Sequence, residues 1–303
     1  MPASTQRHDL LRTRLQRFTR LLHGLEQGDV NAVHRTRVAS RRLRELLPIL
    51  ELDHDVADKL GRRLRKVTSR LGTVRELDVL LMLIDEVHEL GRHDAPALKR
   101  VADDVARERT RARRKLLGHK TIVDELSRIA DKLDRSVNAL KAAEQDQLAG
   151  PSKARGWRWA LDARIARRAE ALRDAVADAG AVYLPDRLHD VRIAVKKLRY
   201  ALEIAAEATG ARTTPDLRAL EHAQTLLGRI HDRQVLTDRV RQVQASLAPP
   251  NIAVWRELDA LTASLEDSCR RLHARYMRDR DGLEALADRV AARAPKAPAR
   301  AAI

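Results

Sequence analysis

Two stretches of this chain set out basic side chains in the same order and at helical spacing. VHRTRVASRRLREL (33–46) and LHDVRIAVKKLRYA (188–201) share the pattern His-x-x-Arg-x-x-x-basic-basic-x-Arg, 155 residues apart. At about 100° per residue, His34, Arg37, Arg41 and Arg44 fall within an arc of about 80° on one helix face. His189, Arg192, Lys196 and Arg199 repeat the stripe residue by residue. Such a row suits the capture of anions. Arg offers a fork of donors to two oxygens, Lys a mobile point charge, and a histidine beside an anion favours its charged form. Like charges three and four residues apart repel, so each stripe lowers helix stability until an anion neutralises it. In a chain that is 34% charged, one basic stripe is ordinarily a solvated face. Two matching stripes, neither admitting Asp or Glu, point instead to a polyanion site.

The stripes need elements to hold them. Opposite the first lie Ala39, Leu43, Leu46 and Leu50, and opposite the second Ala194, Leu198 and Ala201, so each motif helix has a side to bury. Arg42 and Lys197 take the boundaries. The next helix adds Arg63, Lys66 and Arg70 at stripe spacing, with His222 standing where the second half matches Lys66. RLGTVRELDVL (70–80) and LLGRIHDRQVL (226–236) read as tight Leu-Gly junctions between helices. They bring Arg75 on one side and Arg229 and His231 on the other, with Asp78 and Asp232 nearby to cap or orient them.

The periodicity throughout is helical, as in Leu60, Leu64, Val67, Leu71 and Val74, and no strand pattern stands out. Helices are expected over about 5–26, the first motif helix with Pro48 kinking its end, 56–71, 74–90, 96–117 and 120–147. After the linker 149–156 they resume over 157–179, 187–209, a segment through 226–236, and 252–278. GRHDAP (91–96), with Asp94 as a cap, and GARTTPD (210–216) read as loops. The offset is 155 at the motifs and 156 at Leu71/Leu227 and Gly72/Gly228, which argues for an internal duplication. The expected fold is all-α: two helical bundles, 1–150 and 151–292, related by a pseudo-twofold, with a disordered tail over 293–303.

Composition agrees. Aromatics are 2% of 303 residues, so the core must be Leu, Ala and Val, which favours helix-on-helix packing. The net charge of +16 draws the chain to polyanions: DNA, RNA, an anionic membrane surface or inorganic polyphosphate. Cys269 is the only cysteine, so no intramolecular disulfide is available, as suits a reducing cytoplasm. MPASTQRHDLLRTRLQ has no apolar run of signal-peptide type, and no stretch is apolar enough for a transmembrane helix.

The doubled motif, each copy followed by Leu-Gly and an Asp-containing turn, resembles the CHAD family (conserved histidine α-helical domain), over about 5–280. The resemblance implies two helical bundles about a pseudo-twofold, with the motif helices at a shared basic surface. It also implies binding of inorganic polyphosphate, with some members associated with polyphosphate or polyhydroxyalkanoate granules in bacteria. Phosphate or sulfate would fit the same site. The site residues expected are the two stripes together with Arg63, Lys66, Arg70, His222, Arg229 and His231. The departures are His231 against Arg75 and a far more basic third helix in the first half, so the halves are expected to contribute unequally.

Three other chemistries compete. Non-specific nucleic-acid binding would use the same cations, but single-strand binders interleave stacking aromatics, and only Tyr200 lies within a motif. A metal site lacks ligand spacing such as His-Glu-x-x-His, and crowding by Arg and Lys opposes a cation. An enzyme acting on polyphosphate would need acidic groups to hold Mg²⁺ beside the phosphates, which the stripes lack. The E-x-E-x-K strand of the triphosphatase domain often fused to CHAD domains is absent as well. Trp157 and Trp159 read as core residues at a helix start. The expectation is a binding protein without cofactor or catalytic centre.

Overall fold

A computed structural model describes residues 6–91, 95–117, 121–146, 156–210, 214–248 and 251–293. All its regular elements are helical. In chain order they are α1 (Arg7–Thr19), α2 (Leu22–Glu26), α3 (Val30–Leu46), a 3₁₀ turn (Leu47–Ile49), α4 (His54–Glu89), α5 (Ala95–Leu117), α6 (Thr121–Asp146), α7 (Gly156–Ala179), α8 (Pro185–Thr209), α9 (Pro215–Ala245) and α10 (Ile252–Ala291). Residues 149–155 of the expected linker, the cap Asp94, residues 211–213 of the second loop and the tail from 294 lie outside the described residues.

Local chemistry sets the starts. The Asp29 carboxylate accepts from the amides of Asn31 and Ala32 at 2.9 and 3.1 Å and opens α3. Asp53, Thr214 and Asn251 cap α4, α9 and α10 in the same way. Pro185 and Pro215 occupy first helical positions, where a missing N–H costs nothing. Gly210 ends α8 at φ 66°, the left-handed conformation that glycine adopts without strain.

Four boundaries differ from the expected ones. The first helix breaks at Arg20–Leu21 into α1 and α2. Pro48 sits in the 3₁₀ turn that ends α3 rather than kinking its helix. The last helix runs on to Ala291. Most consequentially, the Leu-Gly junctions are not turns: α4 passes unbroken through Leu71–Gly72, and α9 through Leu227–Gly228.

In the first half α3 packs on α4 and α1, while α1 packs on α6; in the second, α7, α8, α9 and α10 pack on one another. The motif helices α3 and α8 touch across the halves, as do α4 and α9. The apolar interior forms two clusters. The larger takes Leu60, Leu64, Val67, Leu71 and Val74 of α4 and Leu220, Leu227 and Ile230 of α9, together with the inner faces of α1, α3, α6, α7 and α8. The smaller lies further along the same two helices, where Leu77, Leu80, Leu83 and Ile84 meet Leu236, Val240 and Val243 under α5 and the start of α10. Each fully buried Leu contributes about 1.5–3 kcal/mol, so both ends of α4 and α9 are firmly held. Trp157 is buried as expected, whereas Trp159 is 45% exposed.

Candidate polyanion-binding site

The apolar sides of α3 and α8 aim their stripes. Leu43 and Leu46 of α3 and Val191, Val195 and Leu198 of α8 are fully buried, which turns the opposite faces toward a common space. On the first-half side this space is a cleft of about 350 Å³. Arg37, Arg41 and Arg44 form one wall, and Arg65, Ser69, Gly72 and Glu76 of α4 the other.

The two stripes lie within each other's field. Lys196 is half-buried, and its ammonium is pushed down to about 7, by burial first and then by Arg41, Arg192, Arg37 and Arg44. Arg37 is pushed down to about 10 by burial, Arg41 and Arg192. Burial also lowers Arg41 and Arg44, while the Tyr200 oxygen at Arg41 and the Glu45 carboxylate at Arg44 oppose it. The groove therefore gathers cations from both halves with too few anions to balance them. This is charge frustration, which a bound polyanion would relieve.

His34 lines a separate cleft with Arg14, Arg17, Arg20 and Arg35, whereas His189 and His231 lie together. His189 Nδ1 lies 3.4 Å from His231 Nδ1, with ring centroids 4.7 Å apart. Burial, then Arg192, His189 and Lys196, push His231 down to about 4. His189 is lowered by burial, Arg192 and Lys196, and His34 by burial, Arg75, Arg37 and Arg41. These shifts favour the neutral form of all three imidazoles. Asp232 stands beside Arg192 and Arg75, its carboxyl raised by burial against the pull of those cations.

Gly72 and Gly228 have a positional reason. A Cβ on Gly72 would stand 3.3 Å from Arg37 Nε, and one on Gly228 3.9 Å from Arg192 Nε. Both glycines let the matching arginine of the motif helix cross close over the neighbouring helix. Both Nε atoms are buried without a hydrogen-bond partner.

Thus His34, Arg37, Arg41, Arg44, His189, Arg192, Lys196 and His231 are brought into one electrostatic neighbourhood. Other expected residues lie elsewhere. Arg199 is neutralised by Glu203 and Glu221 at 3.7 and 3.5 Å. Arg63 lines a separate cleft with Lys132 and Arg135, Lys66 is exposed, and Arg70 pairs with Glu125 of α6 at 3.0 Å. The α4 stripe read from the sequence thus points away from the groove, and its place is taken by the face bearing Arg65. His222 pairs with Asp279 of α10 at 3.2 Å, and Arg229 is exposed on α9. Asp78, expected near the junction, pairs with Arg109 of α5 at 2.5 Å.

Arg65 and Tyr200 are residues of the groove that the motif does not contain or mark. Arg65 shares a helix face with Ser69, Gly72 and Glu76, so the glycine was the available signal. Tyr200 is 4% exposed, with the Arg199 guanidinium 5.5 Å over its ring. Among the described residues no cluster of three or more His, Cys, Asp or Glu could hold a metal ion. No described helix is long and apolar enough to cross a membrane.

The family model described as CHAD domain matches residues 9–241. The crystal structure of the CHAD domain from the plant Ricinus communis is similar at TM-score 0.62 and 21% identity, covering 95% of this chain and 93% of that one. PptA from Streptomyces chartreusis is similar at TM-score 0.61 and 21% identity, covering 90% and 98%. No match was found among curated proteins.

Proposed function

The chain belongs to the CHAD domain family, and from that premise we propose that it binds inorganic polyphosphate in the groove between α3 and α8. The observation that carries the proposal is the meeting of Arg37, Arg41 and Arg44 with Arg192 and Lys196, close enough that each half lowers the other's cations. A linear phosphate chain offers only charge and oxygen acceptors, and the cations of this groove outnumber its carboxylates and complement both. Binding releases counterions and weakens steeply with salt.

The rival reading is non-specific nucleic-acid binding on the same surface. Tyr200, the aromatic of the motif helices, is buried beneath Arg199 and has no face left for a base to stack on. That favours a polymer without bases. The proposed role is binding without turnover: Glu76 and Asp232 lie within each other's field, but among Arg192, Arg75 and Arg233, whereas phosphoryl transfer draws on acidic groups gathered around Mg²⁺. Association with polyphosphate or polyhydroxyalkanoate granules in a cytoplasmic setting would be the cellular form of this binding.

The test is a salt-titrated competition between polyphosphate and duplex DNA, run beside the Arg41→Glu/Lys196→Glu double variant. Preference for polyphosphate per phosphate, lost in the double variant with helicity intact, is the expected result. Equal affinity for DNA would overturn the ligand, unchanged binding by the double variant would overturn the site, and phosphate release with any divalent metal would overturn the absence of turnover.

A further inference from the structure

Beyond the meeting of the stripes lies a second cleft, of about 770 Å³, between the end of α3, the N-terminal half of α4, and α7 and α8. Arg44 and Arg65 line both this cleft and the central groove, so the two are continuous. Past them the walls carry Arg62, Lys197, Arg164 and Arg168.

The acidic groups lining the cleft are already engaged. Glu45, 6% exposed, gives the same oxygen, Oε2, to Arg164 Nη2 at 2.8 Å and Arg168 Nη2 at 3.3 Å. One carboxylate thus serves two guanidiniums, and the Nε atoms of both are buried without a hydrogen-bond partner. Glu51 is held by Arg7 at 2.7 Å. Asp58 lies 3.8 Å from Arg62 and 3.9 Å from His54. Arg44, Arg65 and Lys197 have no ion-pair partner among the described residues. The surplus is positive and follows on from the groove.

We infer that the polyanion track turns past Arg44 and Arg65 into this cleft, so that a long phosphate chain is held jointly by the central stripes and by a second cationic station on α4, α7 and α8. This rests on the polyphosphate reading and adds to it a selection for chain length. From Glu76 to Arg62 the track runs 14 residues along α4, about 21 Å at 1.5 Å per residue. Tripolyphosphate is far shorter and can occupy only one station at a time, whereas a long chain occupies both.

The variants that test it are Arg62→Gln and Lys197→Gln together, since both side chains project into the cleft and neither holds buried Glu45. Each phosphate left without its cation makes the slope of log affinity against log salt shallower by about 0.7 to 0.9, so two lower it by about 1.4 to 1.8. At physiological salt that is a loss of about fifteen- to thirtyfold for long-chain polyphosphate. Tripolyphosphate, resting on the stripes, keeps its affinity within about twofold in the same variant. Equal losses for both lengths, or none for the long chain, would overturn the track. If the unaltered protein bound neither length, the polyphosphate reading itself would fail, which is a separate result. Should the pair of changes lower helicity, Lys197→Gln alone, with half the slope change expected, decides in the same way.

Discussion

Raising the pH from 7 to 9 will loosen the grip on a long polyphosphate, and Lys196 sets by how much. In the free protein its ammonium is pushed down to about 7, against an ordinary 10.5. Phosphate oxygens beside it favour the charged form and restore the ordinary value in the complex. Between pH 7 and 10.5 the complex then holds one proton more than its free components, and affinity falls by up to tenfold per pH unit, about 1.4 kcal/mol. Two units give a ceiling near a hundredfold, about 2.7 kcal/mol. Arg37, pushed down to about 10, stays charged across most of this window. A long chain is the right ligand, because its interior phosphates keep a fixed charge while only its ends titrate. Folding linkage has the opposite sign. The folded value of Lys196 lies below the unfolded one, so the unfolded state holds more protons from pH 7 upward, and this group makes the free protein more stable as pH rises. Calorimetric titrations in buffers of different ionisation enthalpy measure the proton uptake directly. Lys196→Arg, with a guanidinium that stays charged, should flatten the profile. An affinity constant from pH 7 to 9 with no proton uptake would refute this account of the groove.

Other perturbations separate stability from binding. Gly72→Ala removes a helix-interior glycine, a gain of up to about 1 kcal/mol, but its Cβ displaces Arg37; thermal melts should hold or rise while polyphosphate affinity drops several-fold. Gly228→Ala meets Arg192 only at ordinary contact distance, 3.9 Å, so the melt should rise and titration should show binding unchanged. Glu45→Gln leaves Arg164 and Arg168 without their shared counter-charge; the cost is about 2 kcal/mol, below that of a fully buried pair because both guanidiniums are partly solvated. Denaturant unfolding measures that loss, and added polyphosphate should recover more stability in this variant than in the unaltered protein.

The seven stripe residues from His34, Arg37, Arg41 and Arg44 to His189, Arg192 and Lys196 were legible because helical periodicity alone fixes which side chains share a face, and the leucines opposite fix which face is buried. Periodicity cannot say which of two polar faces looks at a neighbouring helix. On α4 it offered Arg63, Lys66 and Arg70 as readily as Arg65, Ser69 and Gly72, and packing against α3 chose the latter. Gly72 was visible but read as a turn, since a glycine that breaks a helix and one that admits a close crossing look alike in one dimension. Arg199 kept its place in the pattern, but Glu203 and Glu221 reach it from its own helix and from α9. The lowered imidazoles were hidden for the same reason: burial and an opposing stripe are properties of the assembled halves.

α4 and α9 each run unbroken through both apolar clusters, like beams clamped at two supports. The α4 wall of the groove, Arg65 to Glu76, lies over the stretch that the larger cluster grips through Leu64, Val67, Leu71 and Val74, so it has little freedom to close around a ligand. On the polyphosphate reading, nearly all the ordering on binding would therefore fall to the polymer, which would settle phosphate by phosphate onto a fixed row of charges. Release would then proceed as peeling: a phosphate that lets go remains tethered by its neighbours at high effective concentration and falls back. Residence time grows with the length of chain engaged, while a free short oligophosphate can seize a vacated position and hasten exchange.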